Sequence, residues 1–415
     1  MARRVSWQRI FKRVTRERVA LLGLLLAVVF GITANGALHA GNYRMGQNGA
    51  DTSLIGYATA VQALGIVMAA PLMVLLRRMN KNSNLALMAG AAAGTGFLGT
   101  FFSDSIGMTF ASRFLLGAGI GLGMAITEYL VVSRVRRDVR PVFAVMFGIL
   151  LAAGHAAGTF LTIMLAVNAI LLTILAALLI GSLLLAPWGR LPDEQDGFSF
   201  RDLPRIISLS PATFLAAGLF GFLDNGLLSM LPDFFFHSGI TKEDVVLTSF
   251  AAFAGVCAFQ IPAGILVMRY PPALLIRAAV LALIAAVMIM LQTASIQMVR
   301  IPMAFILGGL VDVIYTIGLV NLAMDLPRRS LAGANACFVS VCGLGEVLGP
   351  TVTGPSLQSF GVGGGTGVVL FMLVGCWFAW AYRDVLHIAP AMVEAGGPPA
   401  GLPERRLVHS AARPR

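Results

Sequence analysis

The sequence predicts an all-α polytopic membrane protein, with twelve transmembrane helices in two six-helix halves. Three observations carry that expectation. First, hydrophobic residues make up 58% of the 415 residues and charged residues only 12%, whereas soluble domains carry about 25% charged residues. Too little charge is present to cover a water-exposed surface. Second, apolar runs of roughly 20 residues recur, the length that crosses a ~30 Å hydrocarbon core as a helix. Barrel strands are only ~10 residues long and alternate in polarity, so a barrel is excluded. Third, residues of the first half return in the second at a fixed spacing. The 46 Gly and 19 Pro show no period, which excludes collagen-like and low-complexity chains.

The predicted spans are 19–40, 53–76, 84–103, 107–133, 141–163, 165–187, 211–236, 245–268, 273–292, 299–324, 332–355 and 362–382. The first follows a run of Arg and Lys, as a secretion signal would. However, Ala37-Leu38-His39-Ala40 is no clean cleavage site and further spans follow, so it reads as an uncleaved span. The domain layout is then a basic N-tail (1–18), a first half (19–187), a central loop (188–210), a second half (211–382) and a tail (383–415). The loop is polar and rich in Pro and Asp, and 200–208 has the makings of an interfacial helix. The tail is rich in Pro, Gly and Ala with few large apolar residues, and is expected to be disordered.

Charge sets the orientation. Of the 30 Lys and Arg, only Arg44, Arg113, Lys242 and Arg300 belong to one side of the membrane or to spans entered from it. The positive-inside rule then puts both termini in the cytoplasm, with the protein in the cell inner (plasma) membrane. The net charge of +11 is scattered among loops. It suits anionic lipid as a partner and lacks the single basic face that nucleic acid needs. Cys257, Cys337, Cys342 and Cys376 lie within apolar runs as packing residues, with no disulfide or zinc spacing.

The repeat is specific. At an offset of 190, Asn35-Gly36 falls on Asn225-Gly226 and Gly49 on Gly239. At 191, Leu116-Gly117 falls on Leu307-Gly308, Phe147 on Phe338, Gly154 on Gly345 and Gly158 on Gly349. Parallel repeats of six spans are what transporters with two halves about a central axis show.

Twelve spans, the repeat and the central loop resemble the major facilitator superfamily over residues ~19–382. Short motifs support it unevenly. Arg113-Phe114-Leu115-Leu116-Gly117, followed by Gly119, Gly121 and Gly123, resembles that family's Arg-and-Gly motif of the fourth span. In the loop after span two, Arg77, Arg78 and Lys81 keep the family's basic residues, but its Gly and Asp are missing. The second-half copy keeps Gly264 and Arg269, with Met268 in the acidic place. Span five, Gly154-His155-Ala156-Ala157-Gly158-Thr159, resembles the antiporter Gly motif without its Pro, and Gly345-Glu346-Val347-Leu348-Gly349-Pro350 carries the fuller version. The pattern is similar to bacterial branches of unassigned substrate. The resemblance implies that spans one, four, seven and ten line a central cavity, which Asp224 and Asp312 would face.

An ionisable group inside the bilayer costs at least ~2.5–3.5 kcal/mol, so each is a functional candidate. Counted from the span ends, Asp224, Asp312 and Glu346 sit near the midplane and His155 close to it. Arg113 lies toward the outside and Glu128 toward the cytoplasm. Asp224 and Asp312 are proton acceptors or ligands for a cation or hydroxyl, or else carboxyls satisfied by a neighbouring helix. His155 and Glu346 coincide at offset 191 and form either a proton relay or two polar packing residues. Arg113 either serves transport or snorkels to the interface. Glu128 pairs with Arg134 or Arg137. Asn35 and Asn225 bind a polar substrate or tie the halves together.

The function expected is therefore a secondary active transporter working by alternating access on a small solute, coupled to protons. The intramembrane charges are mostly acidic. A strongly anionic solute would want an Arg or Lys cluster, so a neutral, zwitterionic or cationic solute is favoured. No phosphate loop, metal motif, nucleophile elbow or dinucleotide fingerprint is present. The chain is accordingly expected to be no enzyme, to hold no cofactor or metal, and to act as a monomer. The second reading, from the missing gate Asp, is a membrane sensor or scaffold that no longer transports.

Overall fold

The computed structural model describes residues 18–79, 84–103, 105–133, 135, 139–164, 167–185, 207–208, 210–267, 269–325 and 331–386. Residues 1–17 of the basic N-tail, nearly all of the central loop and residues 387–415 of the C-terminal tail lie outside them, as do the side chains of Arg77 and Arg78; the start of the tail expected to be disordered, 383–386, continues the last helix. Among the described residues there is no strand, and almost all are helical.

The first six spans are Arg18–Gln47, the pair Thr52–Val67 and Ala69–Met79, Leu85–Phe102, Ile106–Ser133, Arg140–Met164 and Val167–Leu185. Span seven is built in pieces: Pro211–Leu223, one π turn over Asp224–Leu228, and Leu231–His237. Spans eight to ten are Lys242–Val267, Pro272–Thr293 and Gln297–Asp325. Leu331–Leu386 holds the last two, broken at Gly361, whose φ of 63° and ψ of −160° no helix contains. Ten of these helices are long and apolar enough to cross a membrane, one of them running across the break at Gly361, and Asn168–Leu184 is a shorter apolar helix.

Span one is longer than expected, reaching Gln47 rather than residue 40. Its last turns are polar, and tertiary contacts hold them. Asn42 accepts from the Arg113 guanidinium at 2.9 Å, and the Arg44 guanidinium lies 5.9 Å from the centre of the Phe101 ring. Asp51 starts span two by accepting the Leu54 amide at 2.7 Å, which satisfies one of the donors that a helix N-terminus leaves open.

The surface is apolar and the interior partly polar, the reverse of a soluble protein. Phe371 is 77% exposed and Phe360 76%, while Arg113, Glu128 and Gln260 are fully buried. Exposed apolar surface on this scale marks contact with an apolar partner, here lipid.

The sequence repeat is a repeat of contacts. Within the first half, spans one and five, two and four, and three and four pack together; in the second, spans seven and eleven, eight and ten, and nine and ten do the same. The glycines explain how. A Cβ on Gly117 would stand 1.8 Å from the Gln62 carbonyl oxygen, and one on Gly308 would stand 2.0 Å from that of Ala252. Gly154 meets Val28 O at 2.4 Å, and Gly345 meets Gly218 O at 2.0 Å. Gly158 and Gly349 press on Ile32 and Phe222 in the same way. Each pair is separated by the offset found in sequence. Missing side chains let helices approach until backbones touch, the main route to tight packing where lipid competes equally for apolar contacts. Gly49 and Gly239, the equivalent turns after spans one and seven, have φ of 83° and 73°, conformations that favour Gly.

The halves meet along spans two and eleven and along spans five and eight. Toward the end away from the termini, Gln358 Oε1 accepts the Ser53 amide at 3.0 Å and its hydroxyl at 2.5 Å, and the Phe160 and Phe250 rings lie 5.9 Å apart. Toward the end holding the termini, the Ser340 hydroxyl donates to Val67 O at 2.8 Å, and Gly264 is packed on Val145. The halves thus touch at both ends. Gly264 has its place in this seam, while Arg269 is exposed just beyond span eight.

Arg300, 2% exposed, ties span ten to span eight. Its guanidinium meets Asp244 Oδ2 at 3.1 Å, Thr248 Oγ1 at 3.1 Å and Ala294 O at 2.8 Å. Asp244 is 35% exposed, so solvent weakens the pair. Arg300→Gln is expected to destabilise the fold by about 1–2 kcal/mol, read as a lower melting temperature in detergent. Gly345→Ala is expected to cost about 1–3 kcal/mol, because the obstacle is backbone. Gly375→Ala, with nothing within 4 Å, serves as the neutral comparison in the same melt.

Candidate functional site

A cavity of about 50 Å³ lies between the halves. Its wall comes from spans one, two, four and five on one side and spans seven, ten and eleven on the other. Asn35, Gln62 and His155 face it from the first half; Asp224, Asn225, Tyr315 and Glu346 face it from the second. The π turn of span seven begins at Asp224. A π turn inserts one residue into the helical register and is frequent at functional sites. Asn225 Oδ1 accepts the Ser229 hydroxyl at 3.2 Å.

His155 and Glu346, paired by the repeat, both line this cavity. Their backbone nitrogens sit against Gly31 and Gly221, each 2.9 Å from where a Cβ would stand. The repeat therefore holds at matching depths. Among the described residues no hydrogen bond or ion pair joins the two side chains, and His155 Nε2 is buried with no hydrogen-bond partner. Asn35 and Asn225 likewise face one cavity without bonding each other.

Two candidates stand off the cavity. Asp312, 6% exposed, is buried beside it with Oδ2 unpartnered. It is within electrostatic reach of Asp224, as Asp224 is of Glu346. Arg113 is fully buried among the helices. It donates to Gln62 Oε1 at 3.1 Å and Asn42 Oδ1 at 2.9 Å, and contacts Met45 Sδ at 3.9 Å. Span one admits it at Gly41, where a Cβ would lie 2.4 Å from its guanidinium. Its positive charge thus faces away from the cavity, with Gln62 between.

Arg134 and Arg137, the partners expected for Glu128, lie outside the described residues. Glu128 accepts the hydroxyl of Tyr315, from span four to span ten across the halves. Its Oε2 has no partner. Tyr315 therefore has one face on the cavity and its hydroxyl on Glu128, with its ring against Phe220 and Phe338 at 4.8 Å and 5.4 Å. Sequence reasoning had no signal for this pairing, because a Tyr in an apolar span reads as packing.

His39 was also missed. It lies on span one with Nε2 buried and unpartnered, edge-on to Phe253 of span eight at 5.9 Å. It is within electrostatic reach of Arg113 and His155. The rule that picked out His155, an ionisable group within a span, applied to it equally.

Comparison with known proteins agrees with this architecture. The sequence is 23% identical over 328 residues to the uncharacterized MFS-type transporter YfkF of Bacillus subtilis (strain 168), covering 75% of this chain and 82% of that protein. The human organic anion transporter MFSD10 (TETRAN) superposes with a TM-score of 0.65 at 15% identity, over 88% of this chain and 98% of that one. The proton:xylose symporter XylE, bound to 6-bromo-6-deoxy-D-glucose, gives 0.63 at 13% identity, over 89% and 95%. At these identities the two structures share the fold. The family profile described as Major Facilitator Superfamily matches residues 20–350. With two repeated six-span halves and a cavity between them, this chain is a multi-pass membrane protein that belongs to the Major Facilitator Superfamily of transporters.

Proposed function

We propose that the protein is a secondary active transporter of a small solute, working by alternating access and coupled to protons. The moving bodies are residues 19–187 and 211–382, joined by the loop 188–210. Both termini are cytoplasmic and the protein works in the cell inner membrane, as the distribution of Lys and Arg implies. The observation that carries the reading is the cavity, lined from both halves by His155, Asp224 and Glu346. It is flanked on both sides by seams between the halves. Rocking one half against the other opens one seam while the other stays shut. Proton coupling rests on buried groups with unpartnered atoms, His155 Nε2, Asp312 Oδ2 and Glu128 Oε2, since such groups inside a membrane are costly unless they serve function. XylE, a proton:xylose symporter of this fold, supports the same reading.

Solutes that raise the melting temperature of the purified protein identify substrates for proteoliposomes loaded with a pH-sensitive dye. Solute addition is expected to drive a proton flux. Asp224→Asn, Asp312→Asn and Glu346→Gln are each expected to lower it at least about tenfold, a barrier change of ~1.4 kcal/mol. Unchanged flux in all three would sink proton coupling at these carboxyls.

The Tyr315–Glu128 bond is a clasp between the halves on the side of the termini. Tyr315→Phe keeps the ring and removes the bond, so this side is expected to open more often. In protein retaining Cys342 alone, maleimide labelling of that cavity-lining thiol is expected to rise several-fold. A labelling rate equal to the parent's would show that the bond does not hold the seam shut.

A further inference from the structure

The cavity wall is electrostatically one-sided. Two carboxyls, Asp224 and Glu346, face it from the second half, and Asp312 lies just behind. Around them stand His155 of span five, Tyr315 of span ten and Cys342 of span eleven, with Glu128 beyond Tyr315. None of these carries a permanent positive charge. Arg113, a buried cation of the first half, is committed to Gln62 and Asn42. Carboxylates inside a membrane-spanning bundle are costly to hold charged without a basic partner. A proton or a bound cation removes that cost.

A second, independent observation points to a ligand. His155 is 8% exposed and lines the cavity, yet its Nε2 has no partner. In the neutral tautomer protonated at Nδ1 that nitrogen is an acceptor, which suits a group with several N–H donors. Phe220 and Tyr315, with ring centres 4.8 Å apart, add aromatic surface of the kind that attracts cations. Size narrows the class further. A cavity of about 50 Å³ has room for several waters, or for a small organic molecule.

We propose that the cavity binds a small organic ammonium ion, with Asp224 and Glu346 as its counter-charges and His155 as a hydrogen-bond acceptor. The inference rests on the transporter reading of this cavity and names its substrate class. Protons and the ammonium ion neutralise the same carboxyls, so they compete.

The test uses three four-carbon probes of equal bulk and different charge: butylammonium, 1-butanol and butyrate. Each is titrated against the purified full-length protein, and the melting temperature is followed. Butylammonium is expected to stabilise more than the other two. Its affinity is expected to fall about tenfold or more in Asp224→Asn and in Glu346→Gln, and in the parent protein to weaken as the pH is lowered. Gly375→Ala is expected to behave as the parent. Stabilisation by butyrate or 1-butanol equal to that by butylammonium overturns the proposal. So does an undiminished response in both carboxyl variants. Where a variant melts too early to titrate, the parent's pH dependence decides, and an affinity that does not change with pH overturns the proposal. Butylammonium binding with no accompanying proton flux would defeat the transport reading and leave this one standing. Flux driven by another solute, with no butylammonium binding, would do the opposite.

Discussion

The structure depends on backbone meeting backbone where side chains are missing. Lipid tails solvate Leu as well as a neighbouring helix does, so apolar area alone does not draw spans together. Glycine changes this by letting two helices approach until many weak contacts accumulate. Gly117 on Gln62, Gly154 on Val28 and Gly158 on Ile32 fix the first half, and Gly308, Gly345 and Gly349 fix the second alike. The same seams set where the polar side chains stand. His155 follows Gly154 and Glu346 follows Gly345, so the packing that joins span one to five and seven to eleven also delivers both to the cavity.

Buried polar groups divide into two populations. Arg113 and Arg300 are buried cations that have found partners, Gln62 and Asn42 for one, Asp244, Thr248 and Ala294 for the other. They brace each half internally. Around the cavity His155, Asp312 and Glu128 each keep a buried atom without a hydrogen-bond partner, as Arg113 does at Nε. An unsatisfied buried group costs about 1–3 kcal/mol, and His155, Asp312 and Glu128 carry such a cost at or beside the cavity.

Much of the fold was legible in the chain. Apolar runs gave span number and place, because a bilayer demands that backbone polar groups bond within their own helix. The repeat was visible in Asn35-Gly36 with Asn225-Gly226 and in the Gly pairs, because close approach admits little but Gly. Site residues were legible only as intramembrane ionisable groups. That rule found Asp224, Glu346 and His155, which line the cavity. It also found Asp312 and Arg113, which do not line it, and it passed over His39.

By itself, then, the sequence determined that this chain lives in a membrane, how many times it crosses, and that it is two copies of one plan. Those properties are local or periodic: hydropathy is summed along a span, and a repeat is read along a line. Only the tertiary structure decided which ionisable groups meet. The angle at which a residue faces its neighbours depends on helix rotation and on breaks such as the π turn at Asp224. Tyr315 and Glu128 are 187 residues apart in sequence, and no periodicity links them. Their contact exists because spans four and ten, one from each half, come together below a shared cavity.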